Sequence, residues 1–215
     1  GYPDKDFRAL AERLGRGFPE AKNIDISTLL SAEDFYYTDS HWRQEKITRV
    51  ADEIAAQMGA ERIGTCEIQD TGRPFYGVYY GQAALPHAPE RLFYLDNAVI
   101  RGLQVYNVET QSDIPVYDLG AAAGRDPYEM FLGGARSIIK ITNPNAAQER
   151  RLIVFRDSFG SSIAPLLAAG YSEITLVDIR YISPLSLGKL IDFTKADDVL
   201  FLYSASVINN SETIK

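Results

Sequence analysis

The segment Arg151–Arg180, RLIVFRDSFGSSIAPLLAAGYSEITLVDIR, constrains the fold of this chain more than any other stretch. Four apolar residues, Leu152 to Phe155, are followed by Arg156-Asp157-Ser158 and then by the small residues Gly160-Ser161-Ser162. A helical pattern sets in at Ile163, Leu166, Leu167 and Ala168 and stops at Gly170; a second apolar run, Ile174 to Val177, ends at Asp178. Short continuous apolar runs suit strands buried on both faces, so the segment reads as strand–helix–strand. A helix over about Pro184–Phe193 and a third buried strand over Asp198–Tyr203, with Asn209 and Asn210 just beyond it, extend the same α/β pattern.

In an open α/β sheet, ligands bind at the carboxyl ends of the strands, and Ser158 falls at such an end. It also falls at the mouth of the following helix, where free N–H groups and the positive end of the dipole favour negative charge. A serine placed there can attack a carbonyl while nearby amides hold the oxyanion. The same position equally suits a serine that only caps the helix.

Upstream of this unit the pattern is mixed. Phe7, Leu10, Ala11 and Leu14 space out a helix ended by Gly15, and a short apolar segment runs from Ile24 to Leu30. The clearest helix carries the stripe Ile47, Val50, Ala51, Ile54, Ala55 and Met58, stops at Gly59, and is expected to start just after Trp42. From Ile63 to about Gly134 helical periodicity fades and Gly, Pro and Tyr accumulate. Leu92–Leu95 and Leu103–Val108 read as short strands there, and Ser137–Thr142 as another that follows, so residues 63–134 are expected to form a β-rich insertion.

Composition matters where it excludes. The 215 residues, 46% hydrophobic, suit one domain with its own core. A net charge of −7 without a basic run argues against nucleic acid and against an anionic membrane surface. The lone Cys66 excludes an internal disulfide, and with His41 and His87 as the only histidines a three-histidine zinc site cannot be built. No apolar stretch approaches a bilayer span. No signal peptide is present and Gly1 reads as the scar of a tag, so the sequence is expected to be a trimmed mature domain.

Asp39-x-His41 is the second feature with chemical content. A serine nucleophile needs a base, and the base gains from an orienting carboxylate; an Asp two residues before a His can reach its imidazole when the chain turns. The competing reading makes Asp39 a helix cap and His41 a half-buried neighbour of Trp42. Tyr76, Tyr79 and Tyr80 form the third feature: such rings can stack on sugar faces and wall a glycan cleft, or simply pack in short strands. His87, between Pro86 and Pro89, reads as an exposed loop residue.

Several pieces also match a family in order. Tyr37-Thr38-Asp39-Ser40-His41-Trp42, Phe75-Tyr76-Gly77, Met130-Phe131-Leu132-Gly133-Gly134, Lys140-Ile141-Thr142-Asn143-Pro144-Asn145, Arg156-Asp157-Ser158-Phe159 and Val177-Asp178-Ile179-Arg180-Tyr181 span nearly the whole chain. With these the chain resembles the bacterial Asp-His-His-Trp (DHHW) proteins, SGNH-like relatives of the alginate and cell-wall polysaccharide O-acetyltransferases. It departs from the name at one position, where Ser40 replaces the first His.

The resemblance implies a single SGNH-hydrolase-like (flavodoxin-like) α/β domain over residues 1–215: a three-layer sandwich around a mainly parallel sheet. It implies a serine esterase or O-acetyltransferase acting on acyl esters of an extracellular or cell-wall glycan. Ser158 would be the nucleophile, His41 the base and Asp39 its orienting acid. The Ser158 amide with Arg180 or Asn209 would form the oxyanion hole, although Arg180 also suits an ion pair and Asn209 a turn cap. The implied partners are a glycan and an acyl donor, the implied location is extracytoplasmic, and neither metal nor organic cofactor is implied. A non-catalytic glycan-binding or envelope-assembly protein on the same scaffold is the alternative.

Overall fold

The computed structural model describes residues 7–83 and 88–210. In chain order the elements are α1 (Phe7–Gly17), α2 (Thr48–Gln57), β1 (Glu67–Phe75), α3 (Val78–Ala83), β2 (Glu90–Asp96), α4 (Ala98–Arg101), β3 (Gln104–Asn107), β4 (Ser112–Ile114), β5 (Ile138–Thr142), β6 (Arg151–Arg156), α5 (Phe159–Leu167), β7 (Glu173–Val177), α6 (Pro184–Leu187), β8 (Asp198–Leu202) and α7 (Ala205–Asn209). Short 3-10 turns connect several of them. No helix among the described residues is long and apolar enough to cross a membrane.

Six strands form one sheet in the order β4-β3-β5-β7-β6-β8, and β1 pairs with β2 in a separate two-stranded ladder. Strand β6 runs parallel to both its neighbours, with Val154 between Leu176 of β7 and Leu200 of β8. The other three pairings, β3 with β4, β3 with β5 and β5 with β7, are antiparallel. The expectation of a mainly parallel sheet is therefore corrected to a mixed one. Ile138, Ile139 and Ile141 belong to a strand covered on both faces, and that signature is the same for either strand direction. Of residues 63–134, β3 and β4 join the six-stranded sheet while β1 and β2 lie outside it.

Alternation along the strands divides the core. Ile139, Ile141, Leu152, Val154, Ile174, Leu176 and Leu200 meet α2 and α5, while Ile138, Ile153 and Val177 pack against Leu187 and Ile191. Helix α5 is buried from Gly160 to Leu167, which explains why its sequence is apolar or small on every side. Gly160 is required by the tight β6–α5 turn: a Cβ there would lie 2.6 Å from Cβ of Arg156.

Three local expectations change. The helix expected over Pro184–Phe193 ends at Leu187, and a 3-10 turn follows at Phe193–Lys195 with the Asp192 side chain accepting from the Thr194 amide. The last strand stops at Leu202, and Ser204 caps a new helix by accepting from the Val207 amide. Asn209 is accordingly the exposed last residue of α7, not the end of a strand. The long helix does not begin at Trp42: a 3-10 turn at Gln44–Lys46 intervenes, and α2 starts at Thr48.

Candidate active site

Strand β6, which lies between β7 and the edge strand β8, delivers Ser158 to the mouth of α5. Ser158 has helical backbone angles (φ −59°, ψ −25°) and its side chain makes no capping hydrogen bond. Capping falls to its neighbour: Asp157 Oδ1 accepts from the Phe159 amide at 3.1 Å, and Oδ2 accepts from the Ser204 amide at 2.7 Å. Asp157 is fully buried, so both its oxygens need such donors. The Ser158 hydroxyl is thereby left for another partner, and its Oγ lies 2.6 Å from Nε2 of His41.

The opposite ring nitrogen of His41, Nδ1, is 2.6 Å from Oδ1 of Asp39. The same oxygen accepts the His41 amide at 2.9 Å, which closes the two-residue turn that brings side chain and ring together. Asp39 Oδ2 accepts the Val78 amide at 3.0 Å. Burial raises the pKa of Asp39, but the His41 ring together with the His41 and Val78 amides outweighs it and holds the carboxyl below its usual range. Asp39 is thus an ionised, buried acceptor oriented toward a half-buried imidazole; the Val78 amide that it accepts is the first of α3, and it does not cap the long helix α2.

The loop carrying Asp39 is fixed from outside the sheet. Glu90, at the start of β2, accepts the amides of Tyr37 and Thr38 at 2.9 Å each and the Thr38 hydroxyl at 2.8 Å. The Gly77 amide donates to Thr38 Oγ1 at 3.0 Å, and the Tyr79 amide to the Thr38 carbonyl at 2.9 Å. Gly77 comes so close that a Cβ would sit 2.2 Å from the Thr38 carbonyl oxygen and 2.4 Å from Cβ of Asp39. Phe75-Tyr76-Gly77 therefore includes a backbone position that only glycine fills.

Beneath the imidazole a buried polar set ties these loops to α5. Ser162 Oγ accepts from Trp42 Nε1 and from the Tyr128 hydroxyl, both at 2.7 Å. Gln44 Nε2 donates to the Ser162 carbonyl at 2.7 Å, and Gln44 Oε1 accepts the Leu95 amide at 2.8 Å. Tyr128 stacks on the His41 ring with centroids 4.0 Å apart, and Phe159 packs tilted against it at 5.1 Å. The sequence reading missed Gln44, Glu90, Tyr128 and Ser162 as parts of this region; nothing local in the sequence marks a polar residue as the partner of a distant loop.

The remaining expected residues are placed as follows. Arg180 donates through Nε and Nη2 to both oxygens of the fully buried Asp178, at 2.9 and 2.6 Å, and lies over the Tyr181 ring. This is the ion-paired arrangement. Asn209 is at the exposed end of α7. Tyr76 and Tyr79 are 40% and 46% exposed, Tyr76 packs on Tyr80 at 4.6 Å, and the backbone of Val78 brings the group next to Asp39. His87 lies outside the described residues. Among those residues no cluster of three or more His, Cys, Asp or Glu side chains is placed to hold a metal ion.

No protein-family model matches the sequence, and no curated protein matches it. Solved structures do. A DHHW family protein from Eubacterium siraeum is similar with a TM-score of 0.64 at 21% identity, over 85% of this chain and 63% of that one. Bacillus cereus PatB1 with a sulfonyl adduct is similar with a TM-score of 0.65 at 20% identity, over 91% of this chain and 67% of that one. A second PatB1 structure gives 0.60 at 20% identity, over 82% and 64%. This chain thus spans 63–67% of the length of these proteins and, at such identities, resembles them in fold. What this chain has in common with a DHHW family protein and with PatB1 is its fold.

Proposed function

We propose that this chain is a serine-dependent acyl-transfer enzyme, an SGNH-type esterase or O-acetyltransferase working on ester groups of an extracytoplasmic glycan. The observation that carries this reading is the unbroken line from Asp39 through His41 to Ser158, with both contacts at 2.6 Å. These distances are within the about 2.6–3.2 Å over which a base takes a proton from a nucleophile. A non-catalytic glycan-binding or envelope-assembly protein on this scaffold has no need of such a line.

In this reading the Asp39 carboxylate accepts from Nδ1–H of His41, so that Nε2 is free to take the Ser158 proton. Ser158 Oγ attacks the acyl carbonyl carbon as its proton moves to Nε2. The negative charge gathers on the former carbonyl oxygen at the N-terminal mouth of α5, near the Ser158 amide. Arg180 is the second candidate donor, and Asp178 holds its guanidinium in place through Nε and Nη2. The tetrahedral adduct collapses, His41 returns the proton to the departing alcohol, and the acyl group remains on Ser158. Water or a sugar hydroxyl then attacks the acyl carbon, giving up its proton to His41, and the adduct collapses as His41 returns that proton to the departing Ser158 Oγ. Water makes the protein an esterase; a sugar hydroxyl makes it a transferase. Exposed tyrosines beside Asp39 give a sugar ring flat faces to lie on.

PatB1, which shares the fold, is known with a sulfonyl adduct, and sulfonyl fluorides and fluorophosphonates react with activated serines. The test is intact-mass analysis after incubation with either reagent. One adduct mapping to Ser158, lost in Ser158→Ala and strongly slowed in His41→Ala, is expected. A wild type that takes no label, or a label elsewhere, overturns the reading in favour of the binding protein.

A further inference from the structure

We infer that Tyr128 is a positioning residue for His41, presenting a neutral aromatic face on which the imidazolium formed during acyl transfer is held and stabilised. The inference rests on the acyl-transfer reading and adds a group to it. The Tyr128 and His41 rings are 4.0 Å apart and within 15° of parallel. Hydrogen bonds fix the imidazole within its own plane, at Nδ1 by Asp39 and at Nε2 by Ser158, but leave its tilt free. The stacked ring removes that freedom.

Tyr128 is itself held from several sides. Its hydroxyl donates to Ser162 Oγ at 2.7 Å, on the same oxygen that accepts Trp42 Nε1 and on the helix that begins beside Ser158. Its amide donates to Asp126 Oδ1, and Phe131 and Tyr36 pack on its ring at 4.9 and 6.3 Å. Only 3% of the residue is exposed. Burial raises the phenol pKa far above its usual range, so the ring beside His41 stays neutral.

The consequence is chemical as well as steric. A neutral imidazole gains little from an aromatic face, whereas an imidazolium is attracted by the negative face of the ring, and more strongly out of water. The charge on His41 exists only after Ser158 has lost its proton, so this attraction favours the transition state over the resting site. Tyr128 therefore acts on kcat and not on substrate binding.

Replacing Tyr128 by Leu could unfold the buried aromatic cluster, so the decisive series keeps the ring. Tyr128→Phe, followed by ring-fluorinated phenylalanines at the same position, weakens the negative face stepwise at nearly constant volume. With a small acetate ester as substrate, log kcat should fall steadily with fluorination, reaching roughly 10- to 30-fold at full fluorination, while KM and the melting temperature stay nearly constant across the fluorinated members. Ser162→Ala should lower the melting temperature but slow kcat much less. A flat kcat across the fluorinated series overturns the role of Tyr128 while leaving the Ser158–His41 reading intact. If the wild type neither turns over esters nor takes a label at Ser158, that reading and this role fail together.

Discussion

His41 Nε2 lies 2.6 Å from Ser158 Oγ although 117 residues separate them in the chain. The two arrive by different routes. Ser158 comes two residues after the end of β6, while His41 sits on a loop held by Glu90 of β2 and by the backbone of Gly77 and Tyr79. The pairing therefore depends on the six-stranded sheet and on the β1–β2 ladder together.

If that pairing is the working unit, single substitutions should not multiply. Ser158→Ala and His41→Ala should each lower kcat/KM on a small acetate ester by about three orders of magnitude or more, and the double variant should be little worse than either. Losses that multiply in the double variant would mean that the two residues act separately.

Gly77 tests the loop that carries Asp39. Its Cβ position is occupied by the Thr38 carbonyl and by Asp39 Cβ. Gly77→Ala should destabilise the protein by about 1–3 kcal/mol and slow labelling of Ser158 more than Gly81→Ala, where a Cβ meets nothing within 4 Å. Equal behaviour of the two variants in thermal unfolding and labelling would show that the loop yields without disturbing Asp39.

The glycan reading makes a separable prediction at the tyrosines. Tyr79→Ala, at a half-exposed ring, should weaken binding of a glycan oligomer several-fold in titration calorimetry and leave turnover of a small acetate ester nearly unchanged. Equal losses on both would make the ring a packing element.

Acid stability follows from two carboxylates. At Asp34, burial raises the pKa, but the Ser31 amide and hydroxyl and the Arg49 guanidinium outweigh it and hold the group below its usual range; Asp39 is lowered in the same direction. A carboxyl whose folded pKa lies below its unfolded one binds fewer protons when folded. Its contribution is complete above the unfolded value near 4 and disappears as pH falls through the folded pKa. Denaturant unfolding should therefore show stability dropping below about pH 4, and Asp34→Asn should flatten part of that slope while lowering stability at pH 7. An unchanged slope in Asp34→Asn would remove Asp34 from the acid response.

Much of the core was legible because burial writes itself into local sequence. The apolar runs of β6 and β7 and the stripe of α2 are set by periods of two and 3.6 residues, which survive in any tertiary context that covers those faces. Ser158 at a strand-to-helix turn and Asp39 two residues before His41 were readable for a related reason: each is a short-range spacing with a chemical use. Strand direction left no such trace, and β5 reads the same whether its neighbour runs with it or against it. Asn209 was placed at a strand end because nothing in VLFLYSASVINN marks where the ladder stops; the Ser204 cap decides it. That Arg180 pairs with a carboxylate through Nε and Nη2 could not be read from the sequence and was decided by the position of Asp178. Tyr128, Ser162, Gln44 and Glu90 were invisible in the sequence. Their importance lies in hydrogen bonds and ring contacts across 34 to 120 residues of chain, and the pairing of such distant groups is decided by packing alone.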